Sequence, residues 1–381
     1  MSDRVYDFAI VGAGMAGASL AAELAPHAKV LVLEAEDTPG YHSTGRSAAF
    51  WEECYGGPGV VPLTLASGRY LRENGFLRER GALYVGRGED RELLDEFVQT
   101  FDGTGVTIER LDAEELKQRV PAIRNDWCDA IWEAACADID VAGLHQDYLR
   151  RLKASGADIV CRAQVGELKR SKGVWQITTV VGDVFSASNI VNAAGAWADP
   201  IAQMAGATPL GITPYRRTVV QLRVTPQAPA DLPLVLDING DFYFKSDNGR
   251  LWLSPHDEIP TQACDAAAEE IDVARVIDRF QRVTDWNIEA VERRWAGLRS
   301  FAPDRLPVYG ADPEVDGFFW FAGQGGFGIQ TAPAAARLGA QIILGHEADE
   351  LTRGIDRTAY DPRRFLHLER APNPSQVSSD M

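Results

Sequence analysis

The sequence predicts an α/β protein in which a doubly wound, Rossmann-like domain is interrupted by a second domain with a mixed or antiparallel sheet. Three observations carry this. The apolar stretch at 5–11 reads as a buried parallel strand and runs straight into GAGMAG, Gly12 to Gly17; a helical pattern at 18–24 and a second strand at 29–33 complete a βαβ unit. Two further turns rich in small residues join strand to helix, VNAAGAW at 191–197 and GQGGFG at 323–328, so βα pieces recur at 1–50, 138–212 and 297–345. Between them lie antiparallel signals: strand-like runs at 82–85 and 219–222, and a hairpin in which 242–245 faces 250–253 across an Asn248-Gly249 turn. Both domains are therefore discontinuous, and helical patterns at 91–101, 113–120 and 268–284 decorate them.

Composition narrows the function. A chain of 381 residues with 45% hydrophobic and 24% charged residues suits a globular protein of two domains. A net charge of -17 disfavours nucleic acid and anionic membrane as partners, because both reward clustered Lys and Arg. No apolar run approaches the ~20 residues of a membrane span. The first residues enter a strand without the order of a signal peptide, and five scattered cysteines lack any C-x-x-C pair. These features predict a cytoplasmic protein, free or peripheral at the inner membrane, with no transmembrane segment, no disulfides and no metal site.

The first glycine turn has the chemistry of a dinucleotide site. Gly12, Gly14 and Gly17 allow a tight turn, backbone approach to a pyrophosphate and close helix–strand packing, while Ala13, Met15 and Ala16 complete the loop. The helix N-terminus offers unpaired N–H groups to the phosphates. Glu34, twenty residues after Gly14, is placed for the ribose hydroxyls. This turn alone does not separate NAD from FAD. The later turn GQGGFG is followed by no strand ending in an acid, so it is not a second nucleotide site; its open backbone favours a negative partner such as the N1 and O2 edge of a reduced flavin. Three small-residue turns at strand ends suit a long cofactor lying along one edge of a sheet. The segment GYHSTGRSAA, 40–49, fits between them. Ser43, Thr44, Arg46 and Ser47 can donate to diphosphate and ribityl, while Gly45, Ala48 and Ala49 permit close approach of the flavin.

By these motifs the chain resembles the D-amino-acid oxidase/glycine oxidase superfamily of flavoproteins, and within it the bacterial D-arginine dehydrogenase type. The matching stretches are VGAGMAGAS, PGYHSTGRSAA, Tyr55-Gly56, ADIDVAGLHQDYLR, VNAAGAWAD, PYRR, DFYFK, WAGLRSFAPD and GQGGFGIQT, in order from about residue 5 to 335. The resemblance implies an FAD-binding domain at 1–80, 138–212 and 297–370 and a substrate domain at 81–137 and 213–296; the composition of the Pro/Ser-rich tail at 371–381 predicts disorder. It implies non-covalent FAD, held also by Val165, Ala193, Ala194, Gly195, Trp197, Gly325, Gly326, Gly328, Ile329 and Gln330. The implied activity is oxidative deamination of D-amino acids, with hydride passing from the α-carbon to flavin N5 and electrons leaving to a quinone or another acceptor. A glycine- or sarcosine-like amine oxidase using O2 and a 2-hydroxy-acid dehydrogenase are the alternatives.

The resemblance also places Arg217, Arg299, Tyr55 and Tyr243 at the carboxylate-binding positions, the Gly326 carbonyl against the substrate amine, and Gln330 close by. Guanidinium forks suit a carboxylate because paired donors fix its plane as well as its charge. Arg216 should point to the other face of the strand. No histidine is well placed as a base: His42 lies in the ribityl stretch, His145 in a helix and His256 in a loop. Two residues depart from the D-arginine enzymes. Phe50 replaces a histidine, and Ala82 replaces the glutamate that receives the substrate guanidinium. With Trp51 beside Phe50 at the pocket mouth, neutral or apolar side chains are expected to be preferred over basic ones, unless Glu52 or Glu53 substitutes for the missing acid.

Overall fold

The computed structural model describes residues 4–48 and 50–366. Ala49 and the expected tail at 371–381 lie outside the described residues. The first sheet has eight strands. Its parallel centre consists of Val5–Val11 flanked by Val30–Leu33 and Val184–Asn192, with Asp158–Val160 beyond the former and Phe318–Ala322 beyond the latter. Val5–Val11 is apolar without a break because both faces are covered. Phe8 and Ile10 face a cluster that contains the helices Met15–Leu24, Val141–Ala154 and Ala332–Leu344, whereas Ala9 and Val11 face the antiparallel strands Val165–Ser171 and Val174–Thr179.

Among the described residues the second sheet has ten strands and is mixed, and only Leu234–Asp237 and Ala82–Arg87 run parallel as neighbours. Its long axis is the antiparallel pair Thr213–Thr225 and Asn287–Phe301. The Asn248-Gly249 hairpin forms as the sequence predicts; Asp247 pairs with Arg250, and the two turn residues have φ of 48° and 73°. One face of this sheet packs Val220, Leu222, Leu251 and Leu253 against the helix Glu270–Val283. The opposite face carries Val219, Leu236 and Tyr243 toward the first sheet. Among the described residues, no helix is long and apolar enough to cross a membrane.

Candidate active site

A cavity of about 530 Å³ runs between the two sheets, from Glu34 and Val165 at one end to Arg217 and Tyr243 at the other. The first glycine turn forms its floor. Gly12 has φ of 100°, and a Cβ there would meet the Ala193 carbonyl oxygen at 2.6 Å; a Cβ on Gly17 would lie 1.9 Å from the Gly12 oxygen. The Ncap residue of helix Met15–Leu24 is Gly14, which has no side chain to cap it; Thr44 Oγ1 takes the Met15 N–H, and the remaining first-turn donors face the cavity end of the helix. Glu34 is buried; its Oε2 accepts from Ala13 N at 2.8 Å and its Oε1 from Glu36 N at 3.0 Å. Each carboxylate oxygen keeps a further lone pair. His145, which the sequence places only in a helix, sits buried beneath the turn with Nε2 2.9 Å from the Ala13 oxygen.

Most of the expected cofactor residues meet on this cavity. Gly12, Gly14, Met15, Ala16, Ser43, Thr44, Ser47, Ala48, Val165, Ala193, Ala194, Gly195, Trp197, Gly325, Gly328 and Ile329 all line it. Ala13, Gly17 and Gly45 do not; they are the tight backbone behind the lining, and the Gly45 N–H closes a turn onto the Gly40 oxygen at 2.8 Å. Arg46 reaches the lining but differs from the expected phosphate donor. Its guanidinium is committed to an ion pair with Asp265 and donates to the Ala266 oxygen at 2.8 Å. Ser43 Oγ donates to the Leu298 oxygen at 2.7 Å, and Thr44 Oγ1 accepts from Met15 N at 2.9 Å, so both also brace the loop. The glycine-rich segment near the other end differs in detail from the sequence reading. Its helix starts at Ala332 rather than at 329, and Gln324–Gly325 pairs with Ser300 and Phe301 at the edge of the second sheet.

At the far end, Arg217 pairs with Gly297 and Tyr215 with Arg299 across the long antiparallel ladder, which sets the two arginines diagonally on one face. Both are buried and both line the cavity. Arg216 points the other way and pairs with Glu269 and the fully buried Asp272. Arg217 donates from Nε to the Asp257 oxygen at 3.0 Å and from Nη2 to the His256 oxygen at 3.3 Å. Burial and then the Arg299 charge pull the Arg217 guanidinium below its ordinary range. Arg299 Nη1 donates to the Tyr55 hydroxyl at 3.1 Å, Nη2 meets Glu258 at 2.7 Å, and its buried Nε has no partner in the protein. The ring of Tyr243 lies 5.8 Å from the Arg217 guanidinium and 5.8 Å from Phe50, and Phe50 is equally 5.8 Å from Tyr55. Gly326 has to be glycine, since a Cβ would stand 2.0 Å from the Tyr55 hydroxyl.

Gln330 lines the cavity, yet its amide is spent on the chain around it. Nε2 donates to the oxygens of Glu52 and Tyr55 and to Thr64 Oγ1, and Oε1 accepts from Glu52 N. It is a clamp on the segment that carries Tyr55. Two aromatic and acidic expectations need correction. Trp51 does not line the pocket; strand alternation turns it away from Phe50, fully buried, with its indole N–H donating to the Thr64 oxygen at 3.1 Å. Ala82 does not line it either. It is fully buried and pairs across the sheet with Glu133, so a glutamate there would meet a carboxyl rather than a substrate.

Sequence reasoning missed three features. Glu52 and Glu133 are both fully buried behind the Phe50 wall, and with Cys54 their ligand atoms lie within 4.8 Å of one another. Glu133 accepts from Glu53 N at 2.7 Å and Cys54 N at 3.3 Å, and the Tyr84 hydroxyl donates to Glu52. Burial and then the Glu133 charge push Glu52 well above the usual carboxylate range, and burial lifts Glu133 to about 7. Such a set has metal-ligating chemistry that a sequence reading without a metal site did not single out. The second feature is His256, which lines the cavity in a left-handed conformation with φ of 53°. Its Nδ1 is 3.0 Å from the Gly240 oxygen, which can only accept, so Nδ1 carries the proton. Burial, then Arg217 and Arg299, push its pKa down to about 2. The third is Glu258, bridging Arg299 and Arg305.

A family model for FAD dependent oxidoreductases of the DAO type matches residues 7–342. The chain belongs to the DAO family. FAD is its cofactor, and the cradle geometry fits that group: a helix whose Ncap residue is glycine, a Gly12 that admits no side chain and a cavity long enough to pass both glycine turns. Among DAO relatives, the hydrogen cyanide synthase subunit HcnC of Pseudomonas aeruginosa is 23% identical over 99% of this chain and 99% of its own. L-proline dehydrogenase from P. horikoshii superposes with a TM-score of 0.82 at 24% identity, covering 95% of this chain and 98% of its own. Glycine oxidase from Geobacillus kaustophilus gives a TM-score of 0.78 at 23% identity, with 92% and 98% covered.

Proposed function

We propose that this DAO-family oxidoreductase oxidises the α-carbon–nitrogen unit of neutral or apolar D-amino acids to the imine level, the ammonium losing a proton and the α-carbon a hydride. The observation that carries this reading is the pair of buried guanidinium groups, Arg217 and Arg299, on one sheet face at the end of the FAD cavity. Buried cations are costly without an anion to meet. Arg217, Arg299, Tyr55 and Tyr243 would hold the carboxylate, and the Gly326 carbonyl would take an amine N–H. FAD, when bound without a covalent link, supplies the two-electron acceptor, and a quinone or another acceptor reoxidises it. The units at 1–80, 138–212 and 297–370 and at 81–137 and 213–296 serve as cofactor and substrate domains in this reading.

The side chain would lie against Phe50, Leu236 and Val219, all on the cavity wall. Glu52 and Glu53 are buried and do not line it, so no carboxylate meets a distal guanidinium there. The preference for the D series rests on the order of motifs shared with the D-arginine dehydrogenase type; the preference for apolar side chains rests on Phe50 and on the sealed acids. His256 is too weak a base to take the amine proton, given its pKa of about 2. Two guanidinium groups beside the bound ammonium lower its pKa, and water takes the proton. The test is kcat/KM with an artificial acceptor for D-leucine, D-methionine, D-phenylalanine, their L forms, glycine, D-lactate and D-arginine. Apolar D-amino acids should lead, and leadership by any other member overturns the substrate assignment.

A further inference from the structure

The arginines of the carboxylate end are not alone. The loop between Arg250–Ser254 and Ile259–Pro260 crosses directly over them, pinned at its far end by pairing of Ile259 with Arg216 and Pro260 with Tyr215. It delivers two carbonyl oxygens to Arg217, from His256 and Asp257, and two carboxylates to the cluster. Asp257 is buried, 3.8 Å from Arg217 Nε, and accepts from Thr218 N at 2.8 Å and Thr218 Oγ1 at 3.0 Å. Glu258 Oε1 lies 2.7 Å from Arg299 Nη2 and 2.8 Å from Arg305 Nη2, and 3.8 Å from Arg217 Nη2. Arg305 itself is held with φ of 66° and stacks 3.9 Å over the Phe301 ring. Its position is thereby fixed for Glu258 rather than for the cavity, which it does not line.

Counting charge gives the consequence. Three guanidinium groups, Arg217, Arg299 and Arg305, stand against two carboxylates, Asp257 and Glu258, and His256 beside them is neutral. Summed over the cluster, one positive charge is in excess; it is contributed with the half-exposed Arg305 and reaches the cavity screened by water, where one substrate carboxylate meets it. We infer that Glu258 is a specificity-determining residue that limits this pocket to substrates with a single carboxylate and turns away those with a second negative charge. This inference rests on the reading of Arg217 and Arg299 as the carboxylate site. Glu258 acts through Arg299 and through its own field, not by touching the substrate. Its side chain is 35% exposed, so water screens that field, and an effect on the order of tenfold is expected rather than a thousandfold one.

The experiment uses FAD-loaded enzyme and reads the dissociation constants of propionate and succinate from perturbation of the oxidised flavin spectrum. In the wild type propionate should bind more tightly than succinate. Glu258→Gln should improve succinate relative to propionate on the order of tenfold, and Glu258→Asp should restore the wild-type ratio. Arg305→Gln removes a positive charge from the far side of Glu258 and should move the same ratio in the opposite direction, which keeps the idea open to refutation if Glu258→Gln does not fold. A merely structural anchor would change both affinities together. An unchanged ratio in Glu258→Gln, or in Arg305→Gln, overturns the inference. Arg217→Leu separates the two levels: propionate binding lost there with the ratio unmoved elsewhere refutes the role of Glu258 alone, whereas propionate binding equally to Arg217→Leu and wild type refutes the carboxylate site itself.

Discussion

Replacing Glu52 by glutamine should make the protein more resistant to alkaline destabilisation. Glu52 is protonated in the folded chain because burial and the neighbouring Glu133 charge oppose its ionisation. In the unfolded chain the same carboxyl releases its proton near its ordinary value of 4.5. Between that value and the raised folded one, the native state binds one more proton than the unfolded state. Stability is therefore fully present below the unfolded value and falls as pH rises, by about 1.4 kcal/mol per pH unit. Glutamine carries no such proton, can accept from the Tyr84 hydroxyl and can donate to Glu133, so the contacts survive the exchange. The difference in unfolding free energy between Glu52→Gln and wild type cancels titrations remote from this site and leaves those of Glu52 and its coupled partner Glu133. From about pH 5 to about pH 7 it should shift in favour of the variant by roughly 2–3 kcal/mol. Urea unfolding of both FAD-loaded proteins at each pH measures it. Parallel stability curves would refute a proton held between Glu52 and Glu133.

Two other outcomes follow from the same geometry. Arg217→Leu or Arg299→Leu should lower kcat/KM at least a hundredfold while FAD stays bound, because breaking a buried charge set costs on the order of 3–5 kcal/mol; a loss under tenfold in both would mean that neither holds the substrate. The pH profile of kcat/KM should rise to a plateau with one pKa that tracks the amine of each substrate, since His256 titrates near 2 and offers no base in the working range; a pKa that stays fixed across substrates would imply a protein group instead.

Elements governed by local rules were legible in the sequence. The strand–GAGMAG–helix unit, the Asn248-Gly249 hairpin and the opposed directions of Arg216 and Arg217 all follow from period and turn chemistry, and the structure has each of them. What was not legible depends on distant segments meeting. Glu52 and Glu133 come together because Ala82–Arg87 pairs with Trp127–Glu133 while Phe50–Trp51 pairs with the next strand, Ala137–Ile139, and no local pattern marks two acids as a buried pair. Glu258 and Arg305 belong to loops whose left-handed residues, His256 and Arg305, no rule assigns to non-glycine positions. The misplacement of Trp51 was avoidable, because alternation from Phe50 already sends it to the opposite face. That of Ala82 was not, since Ala82 and Tyr84 share a buried face and only tertiary packing keeps both of them off the cavity.

The central claim is that a carboxylate held by Arg217 and Arg299 positions the bond that loses its electrons. Anaerobic mixing of the FAD-loaded enzyme with a D-amino acid, and with the amine that differs only in lacking the carboxylate, tests it through the rate of loss of flavin absorbance. D-leucine should bleach the flavin at least a hundredfold faster than isoamylamine at equal concentration, and Arg217→Leu should erase that advantage. Equal bleaching by the two compounds in the wild type would contradict the account.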